Sequence, residues 1–153
     1  MSNGLPIRTR PVHGVLGLNQ PTVVFVTVCT KQRRPILANH HVQACIHSAW
    51  ELADSWRVGR YVIMPDHVHV LAGLLDQESG LERWVRYWKS LVTRTLKDPG
   101  FQWQAGYWDT RMRNAEHYES KWEYVKNNPV RHGLVEHAMD WPYAGVISNL
   151  GWD

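Results

Sequence analysis

Residues 58–75, VGRYVIMPDHVHVLAGLL, contain the pattern that decides the fold. Two apolar runs, VGRYVIM at 58–64 and HVHVLAGLL at 67–75, flank Pro65 and Asp66. Proline cannot donate to a strand ladder, and aspartate favours turns, so the segment predicts an antiparallel hairpin. An earlier run, TVVFVTVC at 22–29, has the same β-branched character and predicts a further buried strand.

Three segments with helical periodicity surround these strands. The first begins at Asn39, and the second follows Ser79 and Glu82, which have the spacing of a capping box. The third is capped by Asn114 and ended near residue 128 by Pro129. The apolar stripes of the first two are Val42, Cys45, Ile46, Ala49, Leu52, Ala53 and Trp56, then Leu81, Trp84, Val85, Trp88, Leu91, Val92 and Leu96.

The order of these elements predicts an α+β fold, an antiparallel sheet with helices packed on it in a ferredoxin-like or RRM-like arrangement. We expect one domain over residues 1–153, because the length and the 44% hydrophobic content suit a single core. Residues 1–20 are expected to form an irregular basic lead-in, 101–113 one or two short strands or a hairpin, and 130–153 a turn-rich tail. No run has the roughly 18 apolar residues of a membrane span.

The first candidate for chemistry is the pair His67 and His69. Side chains alternate along a strand, so both imidazoles point to one face, while Val68 and Val70 point to the other. Two neighbouring imidazoles on a rigid strand can share a divalent metal ion. Within so apolar a strand, two unpaired imidazoles would be costly to bury. The competing interpretation is one surface histidine and one hydrogen-bonded histidine, and the pair alone leaves both open.

The second candidate is Tyr124 with Asn128, four residues apart and therefore on one face of a helix. A tyrosine hydroxyl is a weak nucleophile at neutral pH, but a metal ion can make a phosphodiester open to its attack. A tyrosine packed at the helix edge with its hydroxyl in water is the plain alternative. The core stripe predicted for this helix takes another face and consists of Ala115, Tyr118, Trp122 and Val125.

The third candidate is a set of cations that could follow a phosphate backbone. The net charge is +3 and the pI is near 9.0, which permits nucleic-acid binding without requiring it. Between residues 82 and 97, five cations stand against the single acid Glu82, which is lopsided for an ordinary solvated face. The predicted DNA-binding residues are Arg83, Arg86, Lys89, Arg94 and Lys97, with Arg33 and Arg34.

These segments resemble a known family. MPDHVHVL at 64–71 resembles the histidine–hydrophobe–histidine motif of the HUH endonucleases. Residues 107–135, with DWPY at 140–143, resemble the tyrosine-helix region of the REP-associated tyrosine transposases, bacterial relatives of the single-tyrosine insertion-sequence transposases. The resemblance runs from about Val23 to Tyr143 and includes both motifs in the expected order.

The resemblance implies a metal-dependent nuclease with an HUH endonuclease fold. His67 and His69 would bind Mg²⁺ or Mn²⁺, and Tyr124 would be the nucleophile, leaving a 5′-phosphotyrosine link and a free 3′-OH. Asn128 would be the third ligand, where many relatives have glutamine. Tyr107 and Tyr118 do not occupy the motif position of the tyrosine.

The same resemblance implies the partner. The DNA would be a single-stranded hairpin of repetitive extragenic palindromes, recognised partly by a tetranucleotide beside its foot. The protein would act as a monomer or homodimer, in the cytoplasm and associated with the nucleoid.

Two other functions remain open at this level. One is a non-catalytic module that binds hairpin DNA or RNA on the same fold. The other is a metal hydrolase in which the histidines and an acid such as Asp66 activate water, although a zinc site would need a further convergent ligand.

Overall fold

A computed structural model describes residues 21–75 and 80–153. Within those ranges the chain forms five strands and four α-helices. The strands are β1 (Val23–Cys29), β2 (Trp56–Ile63), β3 (His67–Leu74), β4 (Trp108–Arg111) and β5 (Ala144–Val146). The helices are α1 (His40–Leu52), α2 (Leu81–Leu96), α3 (Ala115–Lys126) and the single turn α4 (Asn128–Arg131).

The five strands form one antiparallel sheet in the order β4-β1-β3-β2-β5. The first four strands reproduce the ferredoxin-like order, and β5 extends the edge at β2, so the predicted α+β arrangement is confirmed. The predicted hairpin is the β2–β3 pair, in which Ile63 lies opposite Val68. β3 is the middle strand and is therefore paired along both edges.

The two faces of the sheet carry different helices. Val68 and Val70 belong to a large core cluster with Trp84 and Trp88, which places α1 and α2 on that face. The opposite face packs against α3, chiefly through the fully buried Tyr118. The alternation of β3 therefore directs His67 and His69 to the α3 side.

Two helix boundaries differ from the prediction. α1 ends at Leu52, which is 63% exposed, and Trp56 begins β2 instead of extending the helical stripe. The N-cap of α2 is Gly80 and makes no side-chain hydrogen bond. The capping box predicted from Ser79 and Glu82 is therefore wrong as the start of this helix, and Ser79 itself lies outside the described residues.

The third predicted helix is two helices. α3 ends at Lys126, and α4 begins one residue later at Asn128, with Pro129 in its first turn. Proline suits a first helical turn because its missing N–H would have no partner there. Pro129 therefore starts a new turn instead of ending the long helix, and Tyr124 and Asn128 lie on successive helices. Ala115, predicted to be core, is exposed.

The C-terminal segment contains one strand among its turns. It contributes β5, and the indole N–H of Trp141 donates to the carbonyl of Ile63 at 3.0 Å. Residues 101–113 form the single strand β4, together with one isolated bridge between Trp103 and Thr30. The lead-in predicted for residues 1–20 lies outside the described residues. Among those described, no helix has the length and apolarity needed to cross a membrane.

Candidate active site

His67 and His69 form the centre of the site. Their Nε2 atoms lie 3.1 Å apart on the α3 side of β3, and His67 is 6% exposed. In the register of the sheet, His67 lies opposite Cys29 and His69 opposite Thr27 of β1. The predicted shared face is therefore present, and the two ring nitrogens converge on one point.

Each ring is oriented by a hydrogen bond at its other nitrogen. Nδ1 of His67 lies 2.7 Å from a carboxylate oxygen of Asp66, which can only accept, so Nδ1 carries a proton and donates it to that oxygen. Nδ1 of His69 lies 2.8 Å from Oγ1 of Thr27. The threonine hydroxyl can donate or accept. It can therefore pair with His69 whichever ring nitrogen carries the proton. One of these tautomers has a lone pair on Nε2 that could bind a metal ion.

An unusual turn brings Arg33 to the same place. Gln32 and Arg33 both have positive φ angles, 59° and 55°, which side chains other than glycine rarely adopt. Nε of Arg33 is 3.0 Å from the Asp66 carboxylate, and NH2 is 3.5 Å from Nδ1 of His67. A strained backbone conformation of this kind persists only where contacts with the surrounding structure stabilise it. Here the turn secures the carboxylate that orients His67.

The ionisation of Asp66 and His69 suits ligand binding. Burial raises the pKa of Asp66, but hydrogen bonds and charges from His67 and Arg33 outweigh it and bring the pKa to about 2. Burial, followed by the neighbouring His67 and then by the charges of Lys121, Arg131 and Arg33, holds the pKa of His69 well below its usual range. Near neutral pH, Asp66 is therefore ionised and His69 is a neutral imidazole, the form that binds metals.

The donor set fits a small divalent cation. Mg²⁺ takes octahedral positions at about 2.1 Å, so two neighbouring ligand atoms lie roughly 3 Å apart. The 3.1 Å separation of the two Nε2 atoms agrees with that spacing. A carboxylate on the far ring nitrogen is the usual outer partner of a metal-bound histidine. Asp66 therefore orients His67 from the side of the ring opposite Nε2.

Asn128 and Tyr124 lie beside the histidines. Nδ2 of Asn128, a residue 7% exposed, is 3.4 Å from Nε2 of His67. Tyr124 is 63% exposed on α3, whereas Tyr107 and Tyr118 are buried. The predicted separation of Tyr124 from the packing stripe is confirmed. The helix break after Lys126 turns Asn128 inward while Tyr124 stays accessible.

The predicted basic residues lie in two regions. Arg33 is at the histidines, and the neighbouring Arg34 donates to the carbonyl of Gly100 at 2.6 Å. Since α2 packs on the opposite face of the sheet, its cations lie across the sheet from the histidines. We call four exposed cations the α2 basic face: Arg83, Arg86, Arg94 and Lys97.

Lys89 does not belong to the α2 basic face. It is half-buried, and its ammonium donates to the carbonyls of Gln104 at 3.0 Å and Gly106 at 3.2 Å. Burial lowers the pKa of Lys89 to about 8. Its predicted place on the exposed face is therefore wrong. Lys89 follows the buried Trp88, at the edge of the apolar stripe of α2. The side chain of Lys89 therefore turns towards residues 101–107.

Sequence reasoning missed several residues of the site. The sequence pattern predicts Thr27 only as part of a strand, and Asp66 as a turn residue or as the acid of the alternative hydrolase. It predicts no role for Lys121 or Phe25. Phe25 stacks on His69 with ring centroids 5.2 Å apart, and Nζ of Lys121 is 5.0 Å from the centroid of Phe25. The pairing register of β1 with β3 is the information that would have identified Thr27.

The comparison with protein families identifies the class of protein. The family described as "Transposase IS200 like" matches residues 22–128, more than two thirds of the chain. The matched range includes His67, His69, Tyr124 and Asn128. The chain therefore belongs to the IS200-like transposase family, a family of enzymes that cut and rejoin DNA.

Individual relatives confirm the resemblance to REP-associated tyrosine transposases. The protein of that name from Escherichia coli (strain K12) is 26% identical over 124 residues, covering 78% of this chain and 73% of that one. A Haemophilus influenzae protein is 28% identical over 116 residues, covering 67% of this chain and 62% of its own.

A solved structure confirms the fold. The structure of a REP-associated tyrosine transposase bound to a REP hairpin aligns with a TM-score of 0.76 at 24% identity, covering 92% of this chain and 81% of that one. At this identity, the likeness supports the architecture alone. The overall fold of this chain is thus similar to that of a solved REP-associated tyrosine transposase.

Proposed function

We propose that this protein is a metal-dependent single-tyrosine nuclease and strand transferase that acts on single-stranded DNA hairpins. One observation carries the proposal. The Nε2 atoms of His67 and His69 and the amide of Asn128 converge within 3.4 Å, beside a helix that presents Tyr124 to solvent. Two imidazoles, a buried amide and an exposed phenol form a suitable set for cutting a phosphodiester.

In the proposed reaction, Tyr124 attacks a DNA phosphorus atom in line with the leaving 3′ oxygen. The Tyr124 O–P bond forms as the P–O3′ bond breaks. The phenol proton passes to solvent, and the released 3′ oxygen takes up a proton. A divalent cation held by His67, His69 and Asn128 would polarise the phosphate oxygens and neutralise the developing charge. The product is a 5′-phosphotyrosine and a free 3′-OH, which can reverse the step on another strand.

The charge around the histidines suits a phosphate. Arg33, Lys121 and Arg131 all lie close enough to lower the pKa of His69. Three cations around the two histidines would attract a DNA strand and orient one phosphate among them. The Escherichia coli relative is named for REP elements, and the aligned solved structure holds a REP hairpin. We therefore propose a palindromic repeat as the substrate of this chain, in association with chromosomal DNA.

The water-activating hydrolase is a weaker explanation of the same residues. Its acid, Asp66, is bound to Nδ1 of His67 and to Arg33, away from the two Nε2 atoms. Across residues 21–75 and 80–153, no group of three histidine, cysteine or acidic side chains converges to hold a metal ion. A third such ligand, which a zinc site would need, is thus missing from the described part of the chain.

A cleavage assay tests the proposed function. Labelled single-stranded hairpins, taken from the repeats that flank the gene, are incubated with the protein in Mg²⁺, Mn²⁺ or a chelator. We expect cleavage and a denaturant-resistant protein–DNA adduct with either metal and neither product with the chelator. The matched duplex, in which the foot of the hairpin is paired, should remain uncut. Tight binding without cleavage in both metals would instead favour the binding module.

A further prediction concerns the α2 basic face. Replacing Arg83, Arg86 and Arg94 by Gln should weaken hairpin binding across sequences. It should also reduce the slope of log K against log salt by roughly 2 to 3 units, since each lost phosphate contact removes about 0.7 to 0.9. Binding isotherms over a salt series measure this.

Lys89→Met is the matched control for that series. It removes a cation of the same helix whose ammonium is already bound to two carbonyls. We expect a lower melting temperature and an unchanged salt slope. If the triple variant also keeps the wild-type slope, the α2 basic face is solvated surface and the DNA follows the α3 side.

A further inference from the structure

Arg131, the last residue of α4, contacts both residues that the proposed chemistry takes from this part of the chain. One guanidinium nitrogen donates to the carbonyl of Tyr124 at 2.7 Å, and another donates to Oδ1 of Asn128 at 3.1 Å. The guanidinium carbon also lies 3.7 Å from the centroid of the Tyr124 ring. One side chain therefore joins the exposed phenol to the buried amide.

These contacts depend on the planar fork of arginine. Its delocalised face stacks on an aromatic ring, while its edge donates in two fixed directions. The break between α3 and α4 leaves the carbonyl of Tyr124 available to a side chain, and Arg131 reaches back seven residues to it. The fork therefore fixes the angle between the two helices and restrains the Tyr124 ring.

The orientation of the Asn128 amide follows from its neighbours. The guanidinium of Arg131 can only donate, so the atom of Asn128 that it contacts at 3.1 Å is the amide oxygen. The amide nitrogen of Asn128 is then the atom nearer the histidines, 3.4 Å from Nε2 of His67. In this arrangement the amide oxygen points away from the histidines.

A ligand role for Asn128 requires the opposite orientation. Its oxygen would have to turn towards the Nε2 atoms, and its NH₂ group would then meet the donor group of Arg131. Resting on the proposed function, we propose that Arg131 is a positioning residue with two opposed effects. The first effect is that Arg131 restrains the ring of Tyr124 for attack. The second is that it holds the amide oxygen of Asn128 away from the cation position, until a metal ion replaces the guanidinium as the partner of that oxygen.

Arg131→Lys separates the two effects. Lysine keeps the charge but has no planar fork. It cannot stack on the Tyr124 ring and at the same time donate to the carbonyl oxygen of Tyr124 and to Oδ1 of Asn128. Calorimetric titration of the DNA-free protein with Mn²⁺ should show about tenfold tighter binding, because a charge-assisted hydrogen bond no longer competes for Asn128. In saturating Mn²⁺, adduct formation on the hairpin should be roughly 10- to 100-fold slower.

A double-mutant cycle assigns the gain in affinity to Asn128. With Asn128→Ala in the background, Arg131→Lys should no longer tighten Mn²⁺ binding. Arg57→Lys is the matched control, since Arg57 is exposed on β2 and lies outside the proposed site. This control should change neither Mn²⁺ affinity nor adduct rate. If Arg131→Lys fails to fold, Arg131→Gln replaces it in both measurements.

Unchanged or weaker Mn²⁺ binding by Arg131→Lys would overturn the proposal, and so would a wild-type adduct rate in that variant. Neither result affects the proposed function, which wild-type cleavage tests separately. Conversely, a wild-type protein that forms no adduct, with Arg131→Lys still binding Mn²⁺ more tightly, would refute the nuclease. In that case the proposal that Arg131 keeps the oxygen of Asn128 from the cation position would still be supported.

Discussion

Tyr124→Phe is expected to abolish the covalent protein–DNA adduct and to lower hairpin cleavage by about 10⁴-fold or more. Phenylalanine keeps the ring on which the Arg131 guanidinium stacks, so α3 and α4 should keep their places. Because the side chain is 63% exposed, losing the hydroxyl leaves no buried polar group unpaired. Hairpin affinity should stay within about twofold, since phosphate contacts supply most of it.

The measurement is denaturing electrophoresis of labelled hairpin after incubation with Mg²⁺, followed by peptide mapping of the adduct. Tyr87→Phe is the matched control, because Tyr87 is 47% exposed on α2, on the opposite side of the sheet. It should cleave like the wild type. An adduct mapped to Tyr107 or Tyr118 would contradict the assignment, and both are buried. Cleavage by Tyr124→Phe without an adduct would support the water-activating hydrolase.

His67→Ala and His69→Ala should each weaken Mn²⁺ binding by at least about 100-fold and remove detectable cleavage at limiting metal. Each substitution deletes one of the two Nε2 atoms that stand 3.1 Å apart. The cations around the site are untouched, so hairpin binding in chelator should be nearly unchanged. Calorimetry with Mn²⁺ and fluorescence anisotropy with labelled hairpin separate the two properties.

Two comparison variants make this experiment specific. His41→Ala removes an exposed imidazole from α1 and should leave Mn²⁺ affinity at the wild-type value. Asp66→Asn keeps both ligands but loses the charge that orients His67, so we expect an intermediate loss of about 10- to 100-fold. If His67→Ala cleaves at the wild-type rate in limiting Mg²⁺, the metal site lies elsewhere.

The sequence predicted correctly what depends on neighbours along the chain. Strand alternation placed His67 and His69 on one face, and that follows from the period of two whatever the partner strands are. Asn114 was predicted to cap its helix, and its side chain accepts a hydrogen bond from the first turn. The helix predicted to begin at Asn39 begins at His40, one residue later. The same local logic separated Tyr124 from the buried stripe of α3.

Local patterns were less reliable where two rules competed. Pro129 could end a helix or begin one, and the structure uses it in the first turn of α4. Lys89 could extend to solvent or turn inward, and in the structure its ammonium turns inward to donate to the carbonyls of Gln104 and Gly106. Neither outcome is encoded in the helical period, because each depends on what packs beside the helix.

By itself, therefore, the sequence determined the main strands and helices, the shared face of the two histidines and the place of Tyr124 off the packing stripe. Only the tertiary structure decided that Thr27 lies against His69 and that Arg131 joins Asn128 to Tyr124. The physical reason is the length of chain over which each kind of interaction acts. Periodicity and capping act within one or two turns of chain, whereas the partners of the site come from strands and helices far apart in sequence. Their meeting depends on sheet register and helix packing, which only the folded core determines.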